Sequence, residues 1–349
     1  MRRRLLVLLL GLLLPAVAGA APPALPEPLP PPARVDPRLA ELGRKLFFDR
    51  RLSGDGTMNC ATCHTPQEQF ADGQPLSAAY PTNKHWRHTP SLINVGYLQV
   101  WFWDGRSVSL EDQAKGPIHS SFEMNLNLDY LVAKLREIPA YRELFATACG
   151  APVSQEQVTL ALAAFERTLV MRDSPFDRAL AGDGQALSAA ARRGAEIFFG
   201  PRGGCSVCHA GALLSDQQFH NVGVGETDEL RHDPQRRATR NFFVGQYGLE
   251  PLERDPGRFA LTRRPQDLGA FRTPPLRQVA ETGPYMHNGS LPTLEAVIAF
   301  IVAGGGSDPN RSPLLRPLAL TAGEQADLLA FLRSLSGTPP QVNTRPPEF

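Results

Sequence analysis

The chain has 349 residues with 36 Lys and Arg against 35 Asp and Glu, a formal charge of +1. Near-neutrality excludes the electrostatic footprint of a nucleic-acid binder or of a protein held to an anionic membrane. The length exceeds what one core ordinarily serves and predicts two domains.

Met1-Arg2-Arg3-Arg4, followed by an apolar run to about Val17 and the small residues Ala18-Gly19-Ala20, has the order of a secretory signal peptide over residues 1–20. The run is broken by Gly11 and Pro15 and falls short of the roughly 20 apolar residues of a membrane-spanning helix. The expectation is a periplasmic protein with no membrane insertion after cleavage. Residues 21–35, APPALPEPLPPPARV, are proline-dense, which predicts an extended linker with order beginning near Asp36.

Next comes a repeat. Leu42-Gly43-Arg44-Lys45-Leu46-Phe47-Phe48 precedes one C-x-x-C-H pentapeptide and Arg193-Gly194-Ala195-Glu196-Ile197-Phe198-Phe199 precedes another, which suggests two related modules. Both segments carry apolar positions at helical spacing. So does 154–170, with Val158, Leu162, Phe165 and Leu169 on one face, and 321–335, with Leu328, Leu329, Phe331 and Leu332. Strand patterns are scarce. With 33 prolines and 30 glycines, much of the remainder is expected to be ordered loop. Gly182-Asp183-Gly184 sets the expected boundary between domains at 36–183 and 184–340, with a tail at 341–349.

The pentapeptides are Cys60-Ala-Thr-Cys63-His64 and Cys205-Ser-Val-Cys208-His209. Two thiols one helical turn apart can add to the two vinyl groups of a haem, and the adjacent imidazole can ligate its iron; the pattern reads as c-type haem attachment. With 5 Cys and 8 His in the chain, chance places a second Cys and a His at these offsets roughly three times in ten thousand, so two accidental motifs are negligible. A thiol redox pair does not call for the His, and a zinc site does not call for it twice. His64 and His209 are thus the proximal ligands. Cys149 is left over and reads as a small buried hydrophobe.

Trp101–Met124, WFWDGRSVSLEDQAKGPIHSSFEM, and Phe271–Leu294, FRTPPLRQVAETGPYMHNGSLPTL, together with both motifs in order, resemble the bacterial diheme cytochrome c peroxidases, whose relatives include the methylamine-utilisation diheme enzymes that oxidise protein side chains. The resemblance covers roughly residues 37–340. It implies a mainly α, loop-rich fold of two cytochrome c-like domains with facing haems. The N-terminal haem would react with hydrogen peroxide, and the C-terminal one would take electrons from a small donor such as a cytochrome c or cupredoxin. It also implies a homodimer.

By motif position, Glu123 matches the family's catalytic carboxylate, Gln113 a neighbouring amide that organises the distal pocket, and Trp103 the tryptophan between the haems; the plain alternatives are a surface carboxylate, a helix-face amide and a core aromatic. Arg106 binds a haem propionate or pairs with Asp104. The family's calcium would take carbonyls of Thr282 and Pro284. Its Asn ligand position is His88 here, and a hard cation prefers oxygen, so both outcomes stay open. The distal-His loop is rebuilt: His85 and His88 stand out of register, which implies an open first haem and a neutral surface or propionate-contacting role for each. At the second haem the family's Met or Tyr position is Ile301, which cannot bind iron. Met286 is the nearest methionine by motif as a sixth ligand, with ordinary core packing as its other reading.

Three functions remain open on the sequence: peroxide reduction fed by a soluble donor, peroxide-dependent oxidation of Trp or Tyr in a partner protein, and non-catalytic electron carriage.

Overall fold

The computed structural model describes residues 25–81 and 83–349; the signal-peptide reading, and residues 21–24 of the linker, lie outside the described residues. The fold is mainly helical, and the regular strands among the described residues are the antiparallel pair Phe219–His220 and Phe271–Arg272.

Each module is built on one crossed pair of helices: Pro37–Phe47 against Gln155–Glu166, and Ala189–Phe199 against Ala322–Arg333. Their starts follow from local chemistry. Asp36 caps the first by accepting the Arg38 amide, with proline in its first turn, and Arg44 and Lys45 complement the dipole at its end. Ser154 and Ser188 cap the second and third, and Thr321 with Glu324 forms a reciprocal capping box on the fourth.

The repeated glycine explains why the pairs can cross so closely. A Cβ on Gly43 would lie 1.8 Å from the Ala161 carbonyl oxygen, and one on Gly194 would lie 2.0 Å from that of Asp327. Backbone touches backbone at the same place in both modules, which fits the internal repeat.

Two apolar clusters result. One runs from Leu42 to Met171 and includes Phe47, Phe165 and Tyr141; the other runs from Phe176 to Leu335, with Phe176 and Phe198 each packed on Phe331. The short helix Pro175–Leu180 therefore packs with the second cluster, ahead of the Gly182-Asp183-Gly184 break.

Both ends of the described stretch return to the first module. The proline-rich stretch is not a free tether over its second half: Leu29 is buried, its carbonyl accepts from Arg172 at 2.9 Å, and the Pro30 carbonyl accepts from Tyr97 at 3.0 Å. Order thus begins before Asp36, because the prolines expose carbonyls that side chains of the module can bind. At the other end Arg44 donates to the carbonyls of Asn343 and Arg345, and Phe349 packs edge-on against Tyr141 at 5.0 Å. No described helix is long and apolar enough to cross a membrane.

Candidate active site

Both C-x-x-C-H motifs present their imidazole in the same way. Cys60–Cys63 is a single helical turn, whose entry is held by Asn59 donating to the Phe48 carbonyl at 2.8 Å, and the His64 amide donates to the Cys60 carbonyl at 3.0 Å. The second motif is a 3-10 turn in which the His209 amide donates to Cys205 at 2.9 Å. His64 Nδ1–H donates to the Phe70 carbonyl and His209 Nδ1–H to the Leu214 carbonyl, each at 2.9 Å. This fixes both tautomers with Nε2 as the basic nitrogen, the arrangement a metal-ligating imidazole needs. Burial pushes the thiols up, Cys63 to about 12 and Cys205 to about 11, the reverse of the lowered value of a reactive redox thiol.

A cavity of about 490 Å³ opens beside the second motif, walled by Cys205, Cys208 and His209 and on other sides by Met286 and Ile301. Thr282, Pro284 and His88 also face it. Its size and apolar lining fit a haem held by this motif. Arg272, inside the Phe271–Leu294 segment but assigned no role from it, stands on the same wall at 5% exposure and forms no ion pair among the described residues; burial pushes its guanidinium down to about 10. A buried cation without its anion fits a propionate-bearing group. Cys208, Asp216 and His220 bring donor atoms within 4.8 Å of one another, but with the Cys208 sulfur in a thioether they reduce to the Asp216–His220 pair at 2.9 Å.

At the first motif, Glu123 lies in the turn after the helix Leu110–His119, its side chain 24% exposed and close enough to Cys63 to raise that thiol electrostatically. Burial raises its own carboxyl, partly opposed by Arg106. Glu123 Oε1 is 3.9 Å from His85 Nε2. Gln113 sits half-buried on the preceding helix, its side chain without a hydrogen-bond partner among the described residues, and the structure shows no contact joining it to Glu123.

His85 and His88 are not surface residues, which corrects that part of the expectation: they are 9% and 5% exposed. His85 Nδ1 lies 3.1 Å from the Arg87 amide, and burial, then Arg87, pushes the ring down to about 3, so it is neutral. His88 Nδ1–H donates to the Gln74 carbonyl at 2.8 Å. The His85 ring packs against Trp86 and Phe122. The helix Pro234–Gln246, supplied by the second half of the chain, covers this segment, its Arg236 donating to the His85 carbonyl and its Phe243 meeting Trp86.

Trp103 stands where the modules meet. Its indole N–H donates to the His88 carbonyl at 2.9 Å, the His88 amide donates to the His287 carbonyl at 2.8 Å, and the Arg272 amide donates to the Trp103 carbonyl at 2.8 Å. Trp103 and His88 also line the second-motif cavity. Arg106 pairs with Asp104 at 3.0 Å and lies over the Phe102 ring at 3.3 Å. Arg87, buried, joins Asp104 at 2.6 Å and Asp255 at 2.6 and 2.8 Å.

Comparison with known proteins agrees with this layout. The family model for di-haem cytochrome c peroxidase matches residues 37–185. The chain is 42% identical to the cytochrome-c peroxidase IdrP1 of Denitromonas iodatirespirans over 95% of its own length and 91% of that protein. It is 36% identical to the methylamine utilization protein MauG of Methylorubrum extorquens, over 91% of this chain and 84% of that one. Among solved structures, a MauG-like protein associated with microbial copper homeostasis superposes with a TM-score of 0.75 at 34% identity, covering 89% of this chain and 94% of the other. The chain is an oxidoreductase that belongs to the di-haem cytochrome c peroxidase family.

Proposed function

We propose that this protein reduces hydrogen peroxide to water in the periplasm, using electrons from a small redox protein such as a cytochrome c or cupredoxin. Two haem c groups held through Cys60 and Cys63 and through Cys205 and Cys208, with His64 and His209 ligating their irons, would supply the redox chemistry.

The chain's own residues supply the rest. Glu123 takes the proton from the near oxygen of peroxide and returns it to the leaving oxygen; a carboxyl raised by burial is suited to both halves of that transfer. Gln113 orients the oxygens from the neighbouring helix. Trp103, bonded to the backbone that links the two modules, relays electrons from the second motif to the first. Arg272 holds a propionate at the second motif.

The observation that carries this reading is the Glu123 carboxyl, half-buried beside the first motif and facing a neutral histidine. The test is donor stoichiometry. Holoprotein mixed with peroxide and a reduced small cytochrome is expected to oxidise two cytochromes per peroxide consumed; no donor oxidation refutes the reading. The likeness to the protein named MauG supports a second reading, in which the electrons come from Trp or Tyr side chains of a partner protein.

A further inference from the structure

An aromatic column with no part in the peroxide chemistry of Glu123 stands against His85, the ring that faces that carboxylate. Trp86, 3% exposed, lies flat on His85 with ring centroids 4.6 Å apart and 13° between planes. It also meets Phe243, tilted at 43° with centroids 5.0 Å apart, and Phe243 meets Tyr247 at 5.2 Å. Phe243 and Tyr247 belong to the Pro234–Gln246 cover and the turn that ends it, and the Tyr247 phenol is half-buried at the surface of that cover. Ring contacts thus run unbroken from His85, beside Glu123, to the surface. Tryptophan and tyrosine, the most easily oxidised of the aromatic side chains, stand at the two ends of the column.

The partner of Trp86 is also unusual for a packing residue. Its indole N–H donates to Asp255 Oδ2 at 3.0 Å, a buried carboxylate where a backbone carbonyl would satisfy the donor without burying charge. Arg87 grips Asp255 and Asp104, and Arg106 completes Asp104, so this group of four charges is neutral while the atom touching the indole is anionic. Arg87 holds the Asp255 carboxyl well below the usual carboxylate range, so it takes no proton from the ring. A positive charge formed on the indole would face that carboxylate, in direct hydrogen-bond contact in a water-poor site, while the Arg87 guanidinium 5.6 Å from the ring centre offsets part of the attraction.

We infer that Trp86 and Tyr247 form a route by which oxidising equivalents leave the Glu123 pocket for the surface of the Pro234–Gln246 cover, where small phenolic reductants deliver electrons. The inference rests on the reading of the first motif as the peroxide-reacting site. Peroxide takes two electrons and two protons to become two waters, and the route can supply each electron in turn. Trp86 gives one electron and keeps its N–H on Asp255 as a cation radical. Tyr247 reduces the indole, losing one electron and releasing its phenolic proton to solvent. A phenol at the surface then restores Tyr247 with one electron and one proton, becoming a phenoxyl radical.

The test treats the holoprotein with hydrogen peroxide and no redox protein, in the presence of the spin trap 2-methyl-2-nitrosopropane, followed by peptide mass mapping and freeze-quench EPR. Wild type is expected to give an aromatic radical and a trap adduct on Tyr247. Trp86→Phe is expected to lose the Tyr247 adduct while its Soret band still responds to peroxide and cytochrome-supported turnover persists. Tyr247→Phe, a milder change near the surface, is expected to lose both the adduct and guaiacol oxidation while a Trp86 radical is retained. A Soret response with no adduct in wild type, or with an undiminished adduct in Trp86→Phe, overturns the route alone. A Soret band unmoved by peroxide overturns the peroxidase reading, and the route falls with it.

Discussion

Glu123 Oε1 and His85 Nε2 face each other across 3.9 Å, and the histidine is neutral and fixed: its Nδ1 side is held by the Arg87 backbone and its ring is stacked on Trp86 at 4.6 Å. An imidazole anchored in this way cannot swing onto an iron at the first motif without breaking the stack.

The fully oxidised holoprotein is therefore expected to contain a high-spin haem that reacts with peroxide without prior reduction. EPR of the oxidised state checks this. Only low-spin signals, with no reaction until an electron is added, would make His85 the ligand to suspect.

The repeated glycines give a stability prediction. Gly43→Ala and Gly194→Ala each drive a methyl into a backbone carbonyl, at 1.8 and 2.0 Å. The helices must separate, and a cost of roughly 1–3 kcal/mol or more is expected for each. Denaturant midpoints of the two variants measure it, and unchanged midpoints would mean that the crossings yield without strain.

What could be read from the sequence was local. The cysteine spacing, the glycine repeat and the periodic segments all lie within one turn or one helix, and the helices Gln155–Glu166 and Ala322–Arg333 fall inside the expected 154–170 and 321–335. The helical segments followed from them, whereas the cytochrome c-like architecture came from the resemblance carried by Trp101–Met124 and Phe271–Leu294. Burial of His85 was not legible, because the arginine on its carbonyl comes from 151 positions away, and Asp255 reaches Arg87 across 168. Arg272 was equally hidden: an arginine in F-R-T-P-P looks like any surface cation until every carboxylate is seen to be elsewhere.

Glu166 supplies a pH prediction. It is buried at 6% exposure with one carboxylate oxygen unpartnered, and burial raises its carboxyl to about 8 from an ordinary 4.5. The folded state favours the protonated form, so this contribution to stability is complete below about 4.5 and is lost as pH rises through 8. Glu166→Gln stays neutral throughout. It is expected to match wild type near pH 5 and to exceed it at pH 9 by up to roughly 5 kcal/mol in guanidinium unfolding, since each tenfold change in proton affinity is worth about 1.4 kcal/mol. Equal pH dependence in the two proteins would show that Glu166 finds a partner.

The most direct measurement is peroxide turnover by Glu123→Gln across pH. Wild-type turnover is expected to fall as pH drops through a carboxyl value above the ordinary range, because the proton-accepting form is lost there. The variant keeps size and hydrogen bonding but not the base, so turnover with a reduced cytochrome should drop roughly a hundred- to ten-thousand-fold, with haem content and reduction potentials retained and the acid limb gone. Turnover within a few-fold of wild type, with the same pH profile, would contradict the assignment of Glu123 and remove it from the proton transfer that cleaves peroxide.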